Sequence, residues 1–507
     1  MVPVIGNALY SDRLEVVLPA LKAAAAIVKC PLSSIGKTLP VFIRQMIDII
    51  RQAGTTEADV AQIALKSLST VLRSQPAAQV KEQDLVYLLE LISPDIEDPD
   101  RQAAVFAMLR AIVARKFVVP EIYDVMDKVA EVMVTSQSPQ VQELCRGVLL
   151  QFLLDYPQGK GRLRNTMTLL AKNLSYVYES GRKSVMELLG AIIAKFDAGL
   201  LREYADMIFV ALVMVIANDE SAKCREMAAE LIKGLFLRLA DTQRSVVMSH
   251  LHAWAAQHDR PQLARVSFQV SSILVDLLQD DISPYLPIMS EDLNAALRHS
   301  QQSLDSGEPE STLTESISWQ APYHALLVAS KIVKISSRSL DTVAWGPVVE
   351  HLLFPHAWVR SAACRLLGQL FAATPVAAPQ DHLPGDLPLS RRDMEEVTKK
   401  LCLQMRSPNL DEALSVQIVK NLFYAGKCFY AMDVPLSSVD SSGDENAAED
   451  SGSDAEEAPE DEGVTNRHPL RWLFSKLSHQ ARHAHIARRN RSSSPVRATL
   501  PLCFAIR

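Results

Sequence analysis

Apolar side chains recur along this chain at i, i+3, i+4 and i+7, the spacing of one buried helix face. Residues 351–371 show the unit most plainly. Leu352 and Leu353 end one apolar helix, Pro355 and His356 break it, and a second helix opens at Trp358. Ala363, Leu366, Leu367, Leu370 and Phe371 lie on one face of that second helix. Its triplet at x, x+3, x+4 is Leu367-Leu370-Phe371. The same triplet recurs as Ala24-Ile27-Val28, Leu68-Val71-Leu72, Leu109-Ile112-Val113, Leu149-Phe152-Leu153 and Leu189-Ile192-Ile193. It continues at Leu231 with Leu235, then Val270-Ile273-Leu274, Ala329-Ile332-Val333 and Val419-Leu422-Phe423. Successive anchors lie 44, 41, 40, 40, 42, 39, 59, 38 and 52 residues apart, and the two long intervals hold polar or Pro-rich insertions. Two helices and two turns in about 40 residues is the period of HEAT and armadillo repeats. One such hairpin cannot bury its apolar side alone, so copies must stack. The pattern predicts an all-α, HEAT/armadillo-type α-solenoid, a superhelix of antiparallel helix pairs.

The solenoid is expected over residues 1–299, with turn residues at Pro40, Gly54, Pro76, Pro94, Pro99, Pro120, Pro139, Pro157, Gly181 and Pro261. A polar loop without apolar period spans 300–318. Repeats resume over 319–374, leave through a Pro-rich loop at 375–390, and return over 391–435. The apolar run 207–217 is too short to cross a bilayer, and reads as a helix buried on most sides.

Composition agrees with stacked Leu/Ala/Val helices: of 507 residues 48% are hydrophobic, aromatics are 6%, and there are only 18 glycines. The cysteines at 30, 145, 224, 364, 402, 428 and 503 form no CxxC pair, and most fall on apolar helix faces. Reduced core thiols, and hence a reducing compartment (cytosol or nucleus), are the expectation. Ordinary repeat sequence follows Met1 within a few residues, so no signal peptide is expected.

Charge divides the C-terminal part sharply. Residues 440–462 carry eleven Asp and Glu, and no Lys or Arg occurs between Lys427 and Arg467. Such a segment cannot bury enough apolar area to offset chain entropy, so 436–466 reads as a disordered acidic linker. Ser442, Ser451 and Ser453 each precede an acid by three positions and are candidate phosphorylation sites. From Arg467 onward there are nine Lys/Arg, four His and no acid. Residues 467–487 read as an amphipathic basic helix, with Trp472, Leu473, Leu477 and Ala481 on one side, and 488–507 as a basic Ser/Arg tail. The remaining body carries a net charge of about −5, which is no magnet for nucleic acid.

Catalytic motifs fail on inspection. Gly36-Lys37-Thr38 ends like a phosphate loop, but Pro31 stands where its first glycine belongs. His479, His483 and His485 have no thiolate or carboxylate beside them, and His250 and His252, two apart on a helix, diverge. No GxSxG or HExxH occurs, so neither a catalytic residue nor a cofactor or metal site is expected. Asn173-Leu174-Ser175 fits a glycosylation sequon without meaning in a reducing compartment.

Beyond the period, certain blocks resemble a known family. They are Phe152-Leu153-Leu154-Asp155-Tyr156-Pro157, Tyr178-Glu179-Ser180-Gly181-Arg182, Pro355-His356 with Trp358-Val359-Arg360, and Trp472-Leu473-Phe474 with Lys476-Leu477-Ser478. In this order they resemble the down-regulated-in-metastasis family, very large HEAT-repeat components of the nucleolar small-subunit processome. The resemblance spans residues 98–478. Its members are several times longer and continue beyond this point to a lysine-rich end, which implies a C-terminal-region fragment or a sequence truncated at both ends. It implies a nucleolar scaffold in ribosome biogenesis, with pre-rRNA and snoRNP/processome proteins as partners. No membrane and no small-molecule substrate is implied. The basic tail supplies the RNA-binding candidates Arg482, Arg488, Arg489 and Arg491. The competing reading is a HEAT-repeat transport or protein-interaction adaptor without RNA contact, since importins share the fold.

Overall fold

The structure, a computed structural model, describes residues 2–32, 35–305, 319–335, 337–376, 387–405 and 410–431. Among these residues there are twenty α-helices and no strand. The chain divides into two compact units, Met1–Val247 and Met248–Arg507.

The first unit opens with α1 (Val2–Ala8) and α2 (Leu14–Ile27). Helix pairs follow: α3 (Ile35–Ala53) with α4 (Asp59–Ser74), α5 (Glu82–Ile92) with α6 (Gln102–Arg115), and α7 (Glu121–Thr135) with α8 (Pro139–Asp155). The last two pairs are α9 (Lys160–Asn173) with α10 (Glu179–Lys195), and α11 (Ala198–Asn218) with α12 (Ala222–Arg238). Second helices pack in a continuous row, α2 on α4, α4 on α6, α6 on α8, α8 on α10 and α10 on α12. The division between units falls inside α13 (Asp241–Ala255). In the second unit α14 (Pro261–Leu278), α16 (Gln320–Ile335), α18 (Ala357–Ala373) and α20 (Glu412–Ala431) form the corresponding row. Their partners are α15 (Leu286–Asp305), α17 (Trp345–Glu350) and α19 (Arg391–Gln404). Each unit is thus a stack of helix pairs, the HEAT-type α-solenoid arrangement expected from the period.

The row is where the repeated triplet lies. Leu68, Val71, Leu72, Leu109, Ile112, Val113, Leu367 and Leu370 are all inaccessible to solvent. In three helices the register differs from the expectation by one residue. In α12 the buried set is Ile232, Leu235 and Phe236, and in α14 Val275 is buried beside Leu274. In α20 Ile418, Asn421 and Leu422 are buried while Phe423 stays 43% exposed. Asn421 sits in the core because its Nδ2 donates to the carbonyl of Cys364 at 2.9 Å, across the row.

Helix ends follow capping chemistry. Ser138, Asp197 and Ser221 cap α8, α11 and α12 through their side-chain oxygens, and Ser390 forms a capping box with Asp393 at α19. Gly54, at φ +68°, ends α3 in the left-handed region. Pro40 marks no turn. It lies inside α3, where burial of Leu39, Phe42, Ile43 and Met46 outweighs the lost N–H. The expected loop at 300–318 begins later, because α15 continues to Asp305. Ser300 is buried and bonded to Nε2 of His351 at 3.1 Å, which holds that last stretch to the second unit's core. Helix α11 is less buried than expected, with Val210 and Met214 exposed along one face.

Candidate interaction surfaces

Polar side chains in the stack mostly tie one repeat to the next. Arg115 donates to the carbonyls of Pro76 and Ala78, Tyr156 to that of Phe117, and Arg238 to those of Ile193, Ala194 and Phe196. Each satisfies carbonyls in the last turn of the preceding second helix or just beyond it, which that helix leaves unpaired. A second device recurs at the turn within a pair. Arg182 donates to the carbonyls of Tyr176 and Val177, Arg225 to those of Asp219 and Glu220, and Arg360 to those of Phe354 and Pro355. In all three the arginine reaches back six and five residues. These cations hold the fold, and their charge is not laid out as an open basic face.

Those blocks of the family resemblance that fall among the described residues are largely structural by the same test. Phe152 and Tyr156 stack at 4.9 Å, with Tyr123 edge-on to both. Gly181 lies in the first turn of α10 and marks no turn between helices. A Cβ there would collide with the carbonyl oxygen of Val134 and meet the ring of Tyr176 at 2.6 Å, so only glycine lets α10 approach α7 so closely. Between these residues, Val177 and Tyr178 stand 81% and 57% exposed. Val177 borders a groove of about 620 Å³ lined also by Ala171, Leu174, Ala211 and Met214. A second groove, about 890 Å³, opens between α7 and α9 over Phe152 and Leu149. There Arg162 lies 4.0 Å over the Tyr123 ring, and burial raises the carboxyl of Asp127 while Arg162 draws it down.

In the second unit aromatic side chains gather where α16 and α18 begin. Trp319 and His356 stack face to face at 3.9 Å, Trp358 meets Trp319 edge-on at 5.1 Å, and Tyr323 adjoins both tryptophans. His356 also caps α18, its Nδ1 accepting the N–H of Trp358. Burial, with Arg360 nearby, lowers the pKa of His356; burial, with Arg265 nearby, pushes His324 down to about 4. Both imidazoles are therefore neutral near pH 7. Elsewhere His252 Nδ1 lies 2.6 Å from Asp292 Oδ1, and burial raises that carboxyl to about 6. Burial also pushes the thiols of Cys145 and Cys364 up to about 12, so neither offers a thiolate. Among the described residues no group of three His, Cys, Asp or Glu could hold a metal ion, and no helix is long and apolar enough to cross a membrane.

The chain is similar to two proteins named U3 small nucleolar RNA-associated protein 20. With that of Schizosaccharomyces pombe it shares 33% identity over 444 residues, covering 84% of this chain and 17% of the relative. With that of Saccharomyces cerevisiae it shares 28% over 427 residues, covering 83% and 16%. The chain thus spans about a sixth of the length of the curated relatives it matches. The family name suggested by the sequence blocks is not the name these relatives carry. No family model matches the chain. Among solved structures, Kap121p bound to Nup53p aligns with a TM-score of 0.39 at 12% identity, over 84% of this chain and 42% of that one. The Pds5–Scc1 complex aligns at 0.37 and 11%, over 83% and 72%. The fold assignment rests on the stacked helix pairs and not on these alignments.

The RNA-binding candidates Arg482, Arg488, Arg489 and Arg491 lie outside the described residues, as do Ser442, Ser451 and Ser453. So do the acidic linker, the amphipathic basic helix and the tail. What sequence reasoning missed is the aromatic cluster. Trp319 and Trp358 are 39 residues apart, about one repeat, and that spacing was the available signal.

Proposed function

We propose that this chain is a non-catalytic scaffold segment in ribosome biogenesis, bridging pre-rRNA and proteins of the small-subunit processome during 18S rRNA maturation in the nucleolus. The observation that carries the reading is its identity, across most of its length, with two U3 small nucleolar RNA-associated proteins. Consistent with it, the arginines described above hold one repeat to the next and close the turns within pairs. A stack of helix pairs offers extended surface on which several partners bind side by side. RNA affinity on this reading comes from the cations of residues 467–507, including Arg482, Arg488, Arg489 and Arg491. Phosphorylation of Ser442, Ser451 or Ser453 adds negative charge beside that arm and weakens it. The test is crosslinking of the endogenous protein to RNA followed by sequencing of the RNA. Pre-18S sequences are expected. Recovery of protein partners without RNA sinks the scaffold reading in favour of the protein-only adaptor.

A further inference from the structure

An indole more than half exposed is unusual beside a second tryptophan, because two such rings together bury several hundred Å² when a partner covers them. Trp358 is 58% exposed, although α18 packs well without it through Val359, Ala363, Leu366 and Leu370. Its surroundings select among partners. Trp319, Tyr323 and His356 hold it in a fixed frame of rings, all on the opening turns of two neighbouring helices. The charge acting on His356, the imidazole of the cluster, is that of Arg360. Arg360 forms no ion pair among the described residues, and its guanidinium is fixed by the backbone carbonyls of Phe354 and Pro355. The positive ends of α16 and α18 point the same way electrostatically.

An aromatic cage for a lysine or methylated lysine would need acid nearby, and among the described residues the charge beside these rings is the cation of Arg360. A planar ligand that carries a negative charge fits instead. Neutral imidazole, as opposed to imidazolium, extends the flat π surface of the tryptophans, and an unpaired nucleotide combines a stacking plane with a phosphate.

We propose that Trp358, framed by Trp319, Tyr323 and His356, is a stacking platform for an unpaired base of single-stranded RNA, with Arg360 and the start of α18 supplying the field for its phosphate. This site rests on the RNA-bound scaffold reading and gives it a sequence-tolerant contact on the folded body, separate from the basic tail. Base-on-aromatic stacking loses roughly ten-fold or more in affinity when the ring is removed.

The experiment uses the full chain and two probes, a twelve-nucleotide oligouridylate and a duplex of equal length, with affinity measured across a salt series. Trp358→Ala is expected to weaken the single strand about ten-fold without changing the salt slope, and to leave the duplex unaffected. Trp358→Phe is expected to retain most of the affinity. Because the ring is exposed, both variants are expected to keep the helix content of the wild type by circular dichroism. If Trp358→Ala binds the oligonucleotide as wild type does, while Arg488→Ala/Arg489→Ala/Arg491→Ala weakens it, the platform is refuted and the scaffold reading stands. If the wild type binds neither probe and yields no RNA crosslink in cells, the scaffold reading falls and takes the site with it. If proline-rich peptides, and no RNA, bind in a Trp358-dependent way, the platform is a protein-docking site and the proposal is overturned.

Discussion

The guanidinium of Arg182 in α10 grips the carboxylate of Asp219 at the turn before α12, Nε to Oδ2 at 2.8 Å and Nη2 to Oδ1 at 3.0 Å. The side chains are 13% and 4% exposed. Arg182 also holds the turn of its own pair, and Asp219 also accepts the N–H of Ser221, so one buried bond unites two repeats and both their turns. Removing one partner leaves the other charge buried without compensation, a loss of about 3–5 kcal/mol. Asp219→Ala is therefore expected to raise amide hydrogen exchange in α10 and α12 far more than in α4 and α6. Arg182→Met combined with Asp219→Leu is expected to cost less than the two single changes added. Additive costs would show that the pair does not act as a unit.

The repeat was legible in the sequence where the buried triplet itself is apolar, as in α4, α6 and α18. It slipped by one residue where the buried side carries polar or small residues. Gly234 in α12 and Asn421 in α20 displaced the reading onto Leu231 and Phe423, because pattern reasoning does not know that Asn421 finds a buried partner in the Cys364 carbonyl. The aromatic cluster was out of reach for a different reason. Trp319 and Tyr323 lie at the start of α16 and His356 and Trp358 at the start of α18, one repeat later, and only stacking of the repeats brings their rings together.

That register has a direct consequence for stability. Leu422 is 3% exposed, whereas its neighbour Phe423 faces outward under Lys427, whose Nζ lies 4.9 Å from the ring centre. Leu422→Ala is expected to destabilise by roughly 2–5 kcal/mol, as a large-to-small core change. Phe423→Ala is expected to cost well under half as much in denaturant unfolding of the full chain. Equal costs at the two positions would restore the register read from the sequence, which buries both.

The second unit is expected to weaken in mild acid. His324 is held down to about 4 by burial and Arg265, against about 6.5 for the unfolded chain. The stability gained from keeping it neutral is complete above pH 6.5 and is lost as pH falls from there toward 4. His351, buried between Pro347 and Ser300, is lowered by the same cause and acts in the same direction. Asp292 has the opposite sign. Burial raises it to about 6, so it favours the fold as pH falls from 6 toward 4. The wild type should therefore lose melting temperature between pH 7 and pH 5. His324→Gln should flatten that fall and Asp292→Asn should steepen it, whatever either does to stability at pH 7. A fall of equal size in all three proteins would place the acid sensitivity elsewhere.

The last prediction separates the two classes of function. Residues 467–507 bring nine positive charges and no acid, directly after a run of eleven acids in residues 440–462. Two segments of opposite sign on one chain are held at high effective concentration, so the acidic run is expected to compete with RNA for the arm. Each phosphate that the protein no longer neutralises takes about 0.7–0.9 units from the slope of log affinity against log salt. Replacing Arg488, Arg489 and Arg491 with Ala is thus expected to weaken RNA binding and lower that slope by about two units. Deleting residues 440–462 is expected to do the reverse and tighten binding to RNA of any sequence. A protein-only adaptor would answer differently. Its RNA affinity would be weak at the outset and indifferent to both changes, and the same affinity and slope in all three proteins would remove the arm from the RNA contact.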